Sequence, residues 1–250
     1  MTITIEPLSC GTLTAGRSMF EQGATDDEIE IPVPAWLIRH PEGLVLFDCG
    51  MHADLTGAGP LRDMVSLFFG LGVDDDALVA NQLAARDVDA ASIDIVVLSH
   101  LHFDHTGGLA QIPDARVVIQ QAEWDAGLDD DLSAANSFRR EDYDLGHDLV
   151  TIDGEHDLFG DGSVTCLPTP GHTPGHQSLR VRVDSGEIVL CADCAYFSAT
   201  LDGGALPPIG HDPAQQAASI SRLRSLADAG ATLVPGHDTA AIGALPAVMR

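Results

Sequence analysis

Lysine is absent from the chain: all 12 basic residues are arginine, set against 38 acidic ones, and the formal net charge is −26. A surface so poor in cations repels phosphate backbones and anionic headgroups, which argues against nucleic acid or membrane as a partner. No apolar run reaches the ~18 residues that a membrane span requires. The amino terminus, MTITIEPLSCGTL, lacks the basic region and the apolar core of a secretory signal. Cysteine is sparse and odd in number, with Cys10, Cys49, Cys166, Cys191 and Cys194 scattered along the chain. Reduced thiols in a cytoplasmic protein are therefore expected. Low-complexity linkers and short repeats are also missing. What is present is a 45% hydrophobic chain of 250 residues. Such a chain can bury roughly three-quarters of the surface it exposes when unfolded, and residues 1–250 are expected to form one domain.

Strand-like runs alternate with helical ones, which points to a mixed α/β architecture. Ala35–His40 and Leu44–Gly50, separated by Pro41-Glu42-Gly43, read as a β-hairpin. Residues 75–87 read as one helix with acidic residues at its start, where the helix dipole favours them. Further strands are expected over 93–100, 115–120, 163–169, 178–183, 187–193 and 231–237, and a helix over 213–229 capped by Asp212. The acidic stretches 125–147 and 199–212 read as surface loops or short helices. Met64–Gly72 (MVSLFFGLG) is apolar in a glycine-rich neighbourhood. It suits a buried loop, a dimer contact or an apolar wall beside a substrate site.

Histidine is the informative residue. SHLHFDH sets His100, His102, Asp104 and His105 immediately after a buried strand, and strand ends are where α/β sheets generally hold their sites. Three more donors stand at later strand ends: His172 in TPGHTPGH, Asp193 in LCADCAY and His237 in VPGHDT. Five imidazoles and two carboxylates can serve two metal ions with one carboxylate shared. Nitrogen donors mixed with carboxylates suit zinc, and iron, cobalt or manganese also accept them. His40, His52, His147, His156 and His211 carry no motif and are expected to be solvated. Cys191 and Cys194 are expected to be small buried residues flanking Asp193 rather than a redox pair.

The HxHxDH motif followed by a distant His, Asp and His resembles the metallo-β-lactamase superfamily. Within it, AGRSMF (15–20), PEGLVLFDCGMH (41–52), SHLHFDHTGG (99–108), GHTPGHQSL (171–179) and a tyrosine three residues after Asp193 resemble the N-acyl-homoserine lactonases. The resemblance implies a four-layer αβ/βα sandwich with two Zn2+ between the sheets. His100, His102 and His172 would hold one ion and Asp104, His105 and His237 the other, with Asp193 bridging. It implies a hydroxide shared by the metals as the nucleophile on a lactone carbonyl. Tyr196 would donate to the developing oxyanion, and Asp104 would deliver a proton to the leaving ring oxygen. Met19, Phe20, Phe68 and Phe69 would line the acyl-chain side. Asp48 and Asp238 are candidates to hold the outer nitrogens of ligating imidazoles, whereas His176 is not expected to ligate.

The expected partner is a small lactone, and similar proteins are commonly homodimers. The nearest alternatives are a hydrolase of another lactone, such as a pyridoxolactone or sugar lactone, or of an ester or thioester. A glyoxalase-II-type thioesterase is expected to add a basic C-terminal helical region, where this chain has only Asp238–Arg250 after His237. A non-catalytic zinc-binding protein is the rival from outside enzymology, and a bare fold would not need the complete donor set.

Overall fold

Short apolar runs form the strands of the computed structural model, which describes residues 2–250. Two sheets result. The first runs β4 (Gly70–Gly72), β1 (Thr4–Gly16), β2 (Glu28–His40), β3 (Gly43–Phe47), β5 (Ile95–Val97), β6 (Arg116–Gln120) and β7 (Asp148–Ile152) in spatial order. Pairing is antiparallel from β4 to β3 and parallel from β3 to β7. The second runs β12 (Thr232–Pro235), β11 (Gly186–Ala192), β10 (Gln177–Val183), β9 (Val164–Pro168) and β8 (His156–Asp157). Only its β11–β12 pair is parallel.

Period two decides which layer each side chain joins. Trp36, Ile38, Val45, Phe47, Val97 and Val118 meet Cys166, Leu179, Leu190 and Val234 between the two sheets. Their sequence neighbours Leu37, Leu46, Val96 and Val117 face the other way, against Val79, Leu83, Leu109 and Tyr143 from the helical connections. On the far side of the second sheet, Leu167, Val189 and Cys191 pack on Ile220 and Leu223 of the helix Pro213–Asp228. The architecture is thus helix, sheet, sheet, helix: the four-layer αβ/βα sandwich. Each fully buried Leu, Ile or Phe contributes about 1.5–3 kcal/mol.

The expected hairpin forms, with His40 paired to Gly43, and Asp212 caps the helix 213–228 by accepting the N–H groups of Ala214 and Gln215. Several expectations need correction. Residues 75–87 do not make one helix. Asp74 accepts the N–H of Ala77 and closes a 3-10 turn over Asp75–Ala77, Leu78 is extended, and an α-helix then covers only Val79–Ala84. The acidic residues thus cap a local turn instead of starting a long helix. β1, thirteen residues long, carries no clear alternation because Pro7 and a bulge between Ser9 and Thr12 interrupt it. Gly11 supplies the positive φ of 107° that this bulge requires. Segment 64–72 is not a buried loop, since Leu67 and Phe68 are 78% and 64% exposed. His40 is not solvated: its ring stacks on Phe159 at 3.8 Å between centroids, and its Nδ1 accepts the N–H of Glu42 in the hairpin turn. His147 is half-buried and donates to the carbonyl of Ile112.

Candidate metal centre

β5 leaves the first sheet as a loop carrying His100 and His102, and a single helical turn, Phe103–Thr106, brings in Asp104 and His105. The loop lies tight against residues 49–52. A Cβ on Gly108 would come within 2.1 Å of the Cys49 carbonyl oxygen, and one on Gly107 within 2.3 Å of the His52 nitrogen. Only glycine fits the end of SHLHFDHTGG. His172 comes from the β9–β10 turn, and Asp193 stands just past β11, its carbonyl bonded by Gln216 from the helix 213–228. After β12 the backbone N–H of His237 donates to the carbonyl of Tyr196.

The donors converge as two groups, His100/His102/His172/Asp193 and Asp104/His105/His237, each with donor atoms within 4.8 Å of one another. In the first group, Nδ1 of His102 lies 2.9 Å from Nε2 of His100 and 3.1 Å from Nε2 of His172. Asp193 spans both groups. Its Oδ2 is 3.2 Å from His172, and its Oδ1 is 3.2 Å from His105 and 2.9 Å from His237. Oδ2 of Asp104 is 3.6 Å from His105 and 4.0 Å from His237.

The outer nitrogens fix which ring atom faces inward. Oδ2 of Asp48 accepts from Nδ1 of His105 and from the Ser99 hydroxyl, both at 2.8 Å. Having donated there, the Ser99 oxygen can accept from Nδ1 of His100, also at 2.8 Å. Carbonyls of Asn136 and Pro32 accept from Nε2 of His102 at 2.9 Å and Nδ1 of His237 at 2.7 Å. Each of these four rings therefore donates outward and turns its other nitrogen to the cluster, a nitrogen that is bare on the neutral rings of His100 and His102. The lone pairs of His100 and His102, facing each other at 2.9 Å, repel unless a cation lies between them. Tetrahedral zinc with bonds of about 2.0–2.1 Å spaces its ligands by about 3.3 Å, close to the separations here. Nε2 of His105 and Oδ1 of Asp193 lie 3.2 Å apart yet make no well-aligned hydrogen bond. The residues fit a pair of divalent metals.

Burial, followed by repulsion from His105, holds the His100 imidazole well below its ordinary range, and burial pushes His102 down to about 3, so both are neutral. Burial also opposes charge on His105, but Asp193, Asp104 and Asp48 outweigh it and hold that ring well above the usual range. A metal entering the second group displaces a proton. Burial would raise Asp193, yet His237, His105 and His100 keep its carboxyl well below the usual range. Burial, then Asp193 and Asp104, push the Tyr196 phenol well above its ordinary value, so it stays a hydrogen-bond donor.

Beside the donors opens a cavity of about 560 Å³. Met19, Phe20, Phe68, Phe69 and Tyr196 line it, together with His102, Asp104, Asp193 and His237. Phe103, Phe138, Arg139 and Ile209 also line it and were not singled out from sequence. Phe103 sits inside HLHFDH. Phe138 is an aromatic in an acidic stretch of a chain with only 5% aromatics, a signal that could have marked it. Of the two carboxylates expected to support imidazoles, Asp48 does so. Asp238 instead caps the helix Thr239–Gly243 and binds the N–H and hydroxyl of Ser198. His176 lies outside both groups, bonded through Nδ1 to Thr169. The Cys191 and Cys194 thiols are buried and pushed up in pKa, Cys191 to about 12, which leaves them inert.

A model of the metallo-beta-lactamase superfamily matches residues 29–237, and the chain belongs to that superfamily. Among curated proteins it is similar to the N-acyl homoserine lactonase AttM of Azorhizobium caulinodans, at 34% identity over 220 residues covering 84% of this chain and 83% of that one. It is 28% identical over 247 residues to the N-acyl homoserine lactonase of Bacillus thuringiensis, covering 90% and 91% of the two chains. A solved N-acyl homoserine lactone hydrolase, with the product N-hexanoyl-L-homoserine at its catalytic metal center, superposes with a TM-score of 0.85 at 25% identity over 98% of both chains.

Proposed function

We propose that residues 1–250 form one metal-dependent hydrolase domain that opens the lactone ring of N-acyl homoserine lactones. The observation that carries this reading is the junction of a two-group metal donor set with an apolar cavity of about 560 Å³. A polar reacting head and a fatty tail would each find their matching surface there. His100, His102 and His172 would hold one zinc, Asp104, His105 and His237 the second, with Asp193 between them. Zinc there would supply a water-derived nucleophile at neutral pH and polarise the ester carbonyl.

The chain's own groups do the rest. Tyr196 stands edge-on to His172 and His237, with ring centroids at 5.6 and 5.0 Å. Its protonated phenol donates to the carbonyl oxygen as that atom takes on charge. Asp104 would take up the proton that the attacking water gives up and return it to the departing ring oxygen. Phe20, Phe69 and Phe103 form an aromatic chain with centroids 6.2 Å apart at each step, which shields the site from water and receives the acyl tail. This lining favours a fatty acyl lactone over a sugar lactone, whose hydroxyls would find few partners. Exposed Leu67 beside the cavity would also suit a homodimer contact, and five free cysteines accord with a cytoplasmic setting.

The test is acid release followed by pH-stat, with zinc-loaded protein and homoserine lactones of short and long acyl chain. Stoichiometric acid that ceases on chelation is expected. No acid from protein carrying two metals would overturn the lactonase reading.

A further inference from the structure

One buried carboxylate near the site belongs to neither metal group. Glu123, in the first turn of the helix Gln121–Leu128, is wholly buried. It reaches backbone on two loops. Its Oε1 accepts the N–H of Leu101 at 3.1 Å, and its Oε2 accepts the N–H of Gly175 at 2.7 Å. Leu101 separates His100 from His102, and Gly175 closes the turn that begins with His172. A single side chain therefore ties together two loops that are distant in sequence, which between them carry the three histidines of the first metal group. The turn is seated directly on the helix: a Cβ on Gly175 would stand 2.2 Å from the Glu123 nitrogen. An apolar residue here would leave both N–H groups without an acceptor. Burying a carboxyl is expensive unless it answers specific donors, and here burial pushes the carboxyl up to about 7 despite the amides it accepts.

We propose that Glu123 is a positioning residue for the first metal: its carboxylate sets the spacing between the His100/His102 loop and the His172 loop, and so sets that metal's affinity. The inference rests on the metal-centre reading and is independent of the substrate.

Glu123→Gln conserves size but leaves only one oxygen to accept, so its amide nitrogen must face one of the two N–H groups. One loop loses its anchor while the other keeps it. The experiment loads the unaltered protein and the variant with cobalt(II), follows the visible absorption bands, and titrates with a chelator. The unaltered protein is expected to take up two ions. In the variant one ion should be released about 10–100-fold more readily, the range typical for losing a group that supports a ligand. The other ion should stay bound as before, and the absorption bands of the weakened site should change. Gly175→Ala, which pushes the turn off the helix, should weaken the same ion. A purely structural role would lower the melting temperature of the metal-free protein and leave both chelator steps unmoved, which would overturn the proposal. Failure of the unaltered protein to bind two ions would instead remove the metal-centre reading beneath it. Should neither variant fold, amide hydrogen exchange in the unaltered metal-free protein decides: protection of Leu101 and Gly175 comparable to the central strand β10 supports the tie, and rapid exchange at either overturns it.

Discussion

Asp48 ends the strand β3 region with three donors on two oxygens, and Asp48→Asn tests whether that count matters. Oδ1 accepts the Ser99 N–H at 2.7 Å, while Oδ2 takes the Ser99 hydroxyl and Nδ1 of His105, each at 2.8 Å. The backbone does not oppose the change, because Asp48 sits at φ 60° and asparagine tolerates that region well. The amide must choose between two orientations. With its oxygen in place of Oδ2, its NH2 confronts the Ser99 N–H, and a buried backbone donor is left unpaired at a cost of about 1–3 kcal/mol. With its oxygen in place of Oδ1, its NH2 donates to Nδ1 of His105 and to the Ser99 oxygen. His105 then carries its proton on Nε2, the atom meant for the metal, and His100 loses the acceptor that fixed its own proton outward. One orientation displaces the Ser99–His100 loop and the other inverts two tautomers.

Either way, metal affinity should fall about 10–100-fold, equivalent to about 1.4–2.7 kcal/mol. The metal-free protein should lose about 1–3 kcal/mol of stability. Chelator competition measures the first and urea denaturation the second. A third readout is the proton count on metal uptake. His105 is held well above its usual range partly by Asp48, so the unaltered protein at neutral pH releases a proton when the metal enters, and its affinity rises with pH. The variant should release less. Retention of both metals within about threefold of the unaltered affinities, about 0.6 kcal/mol, would refute the reasoning.

Tyr196→Phe should lower kcat about 100- to 1,000-fold, the loss typical for one oxyanion donor, with metal content and KM nearly unchanged. Steady-state kinetics alongside metal analysis will decide it, and an unchanged kcat removes Tyr196 from the reaction. Phe68→Ala alters a side chain that is 64% exposed, so stability should move by no more than about 0.5 kcal/mol. KM for a ten-carbon acyl chain should rise roughly fivefold, about 1 kcal/mol, and KM for a four-carbon chain should stay constant; equal effects on both would mean the ring does not meet the tail. Ring opening turns a neutral lactone into a carboxylate, which a chain of net charge −26 repels. Raising salt screens that repulsion, so the product should inhibit more tightly at high ionic strength. An inhibition constant that is flat or weakens with salt would show that the overall field plays no part in release.

Much of the site was legible because its donors are written at strand ends. In SHLHFDH, GHTPGH, CADCAY and VPGHD the residue types and their place after apolar runs survive without knowledge of the fold. The strands themselves were readable where a short apolar run is unbroken, as in Leu44–Phe47 and Val117–Ile119, which are buried on both faces. β1 was not, since Pro7 and the bulge at Gly11 break the alternation while β2 supplies the pairing from outside. The helix expected over 75–87 failed for a local reason. Asp74 offers its own oxygen to Ala77, and Asn81 and Gln82 bond back to the carbonyls of Asp75 and Asp76, which stabilises a tighter turn than the helical pattern required.

The supporting groups were hidden for a different reason. Asp48 and Asp238 each follow a strand and look alike in sequence, yet one meets an imidazole 57 positions away and the other caps its own helix. Glu123 offers no local sign at all, because its partners lie 22 and 52 positions away on two loops. What separates these carboxylates from the remaining acidic residues is burial. Asp48, Asp104, Glu123, Asp142 and Asp193 are the acidic residues buried among the described ones. Four of them belong to the metal groups or hold the loops that form them. The fifth, Asp142, accepts from Nε of Arg139 on the cavity wall at 3.0 Å. A buried carboxylate persists only where donors or cations answer it, so in a chain with 38 acidic residues the few that leave the surface mark the site. Composition alone makes the acidity look like a uniform property of the surface. Burial divides it into a repulsive exterior and a small interior set that holds imidazoles, amides and one guanidinium in place around the same cavity.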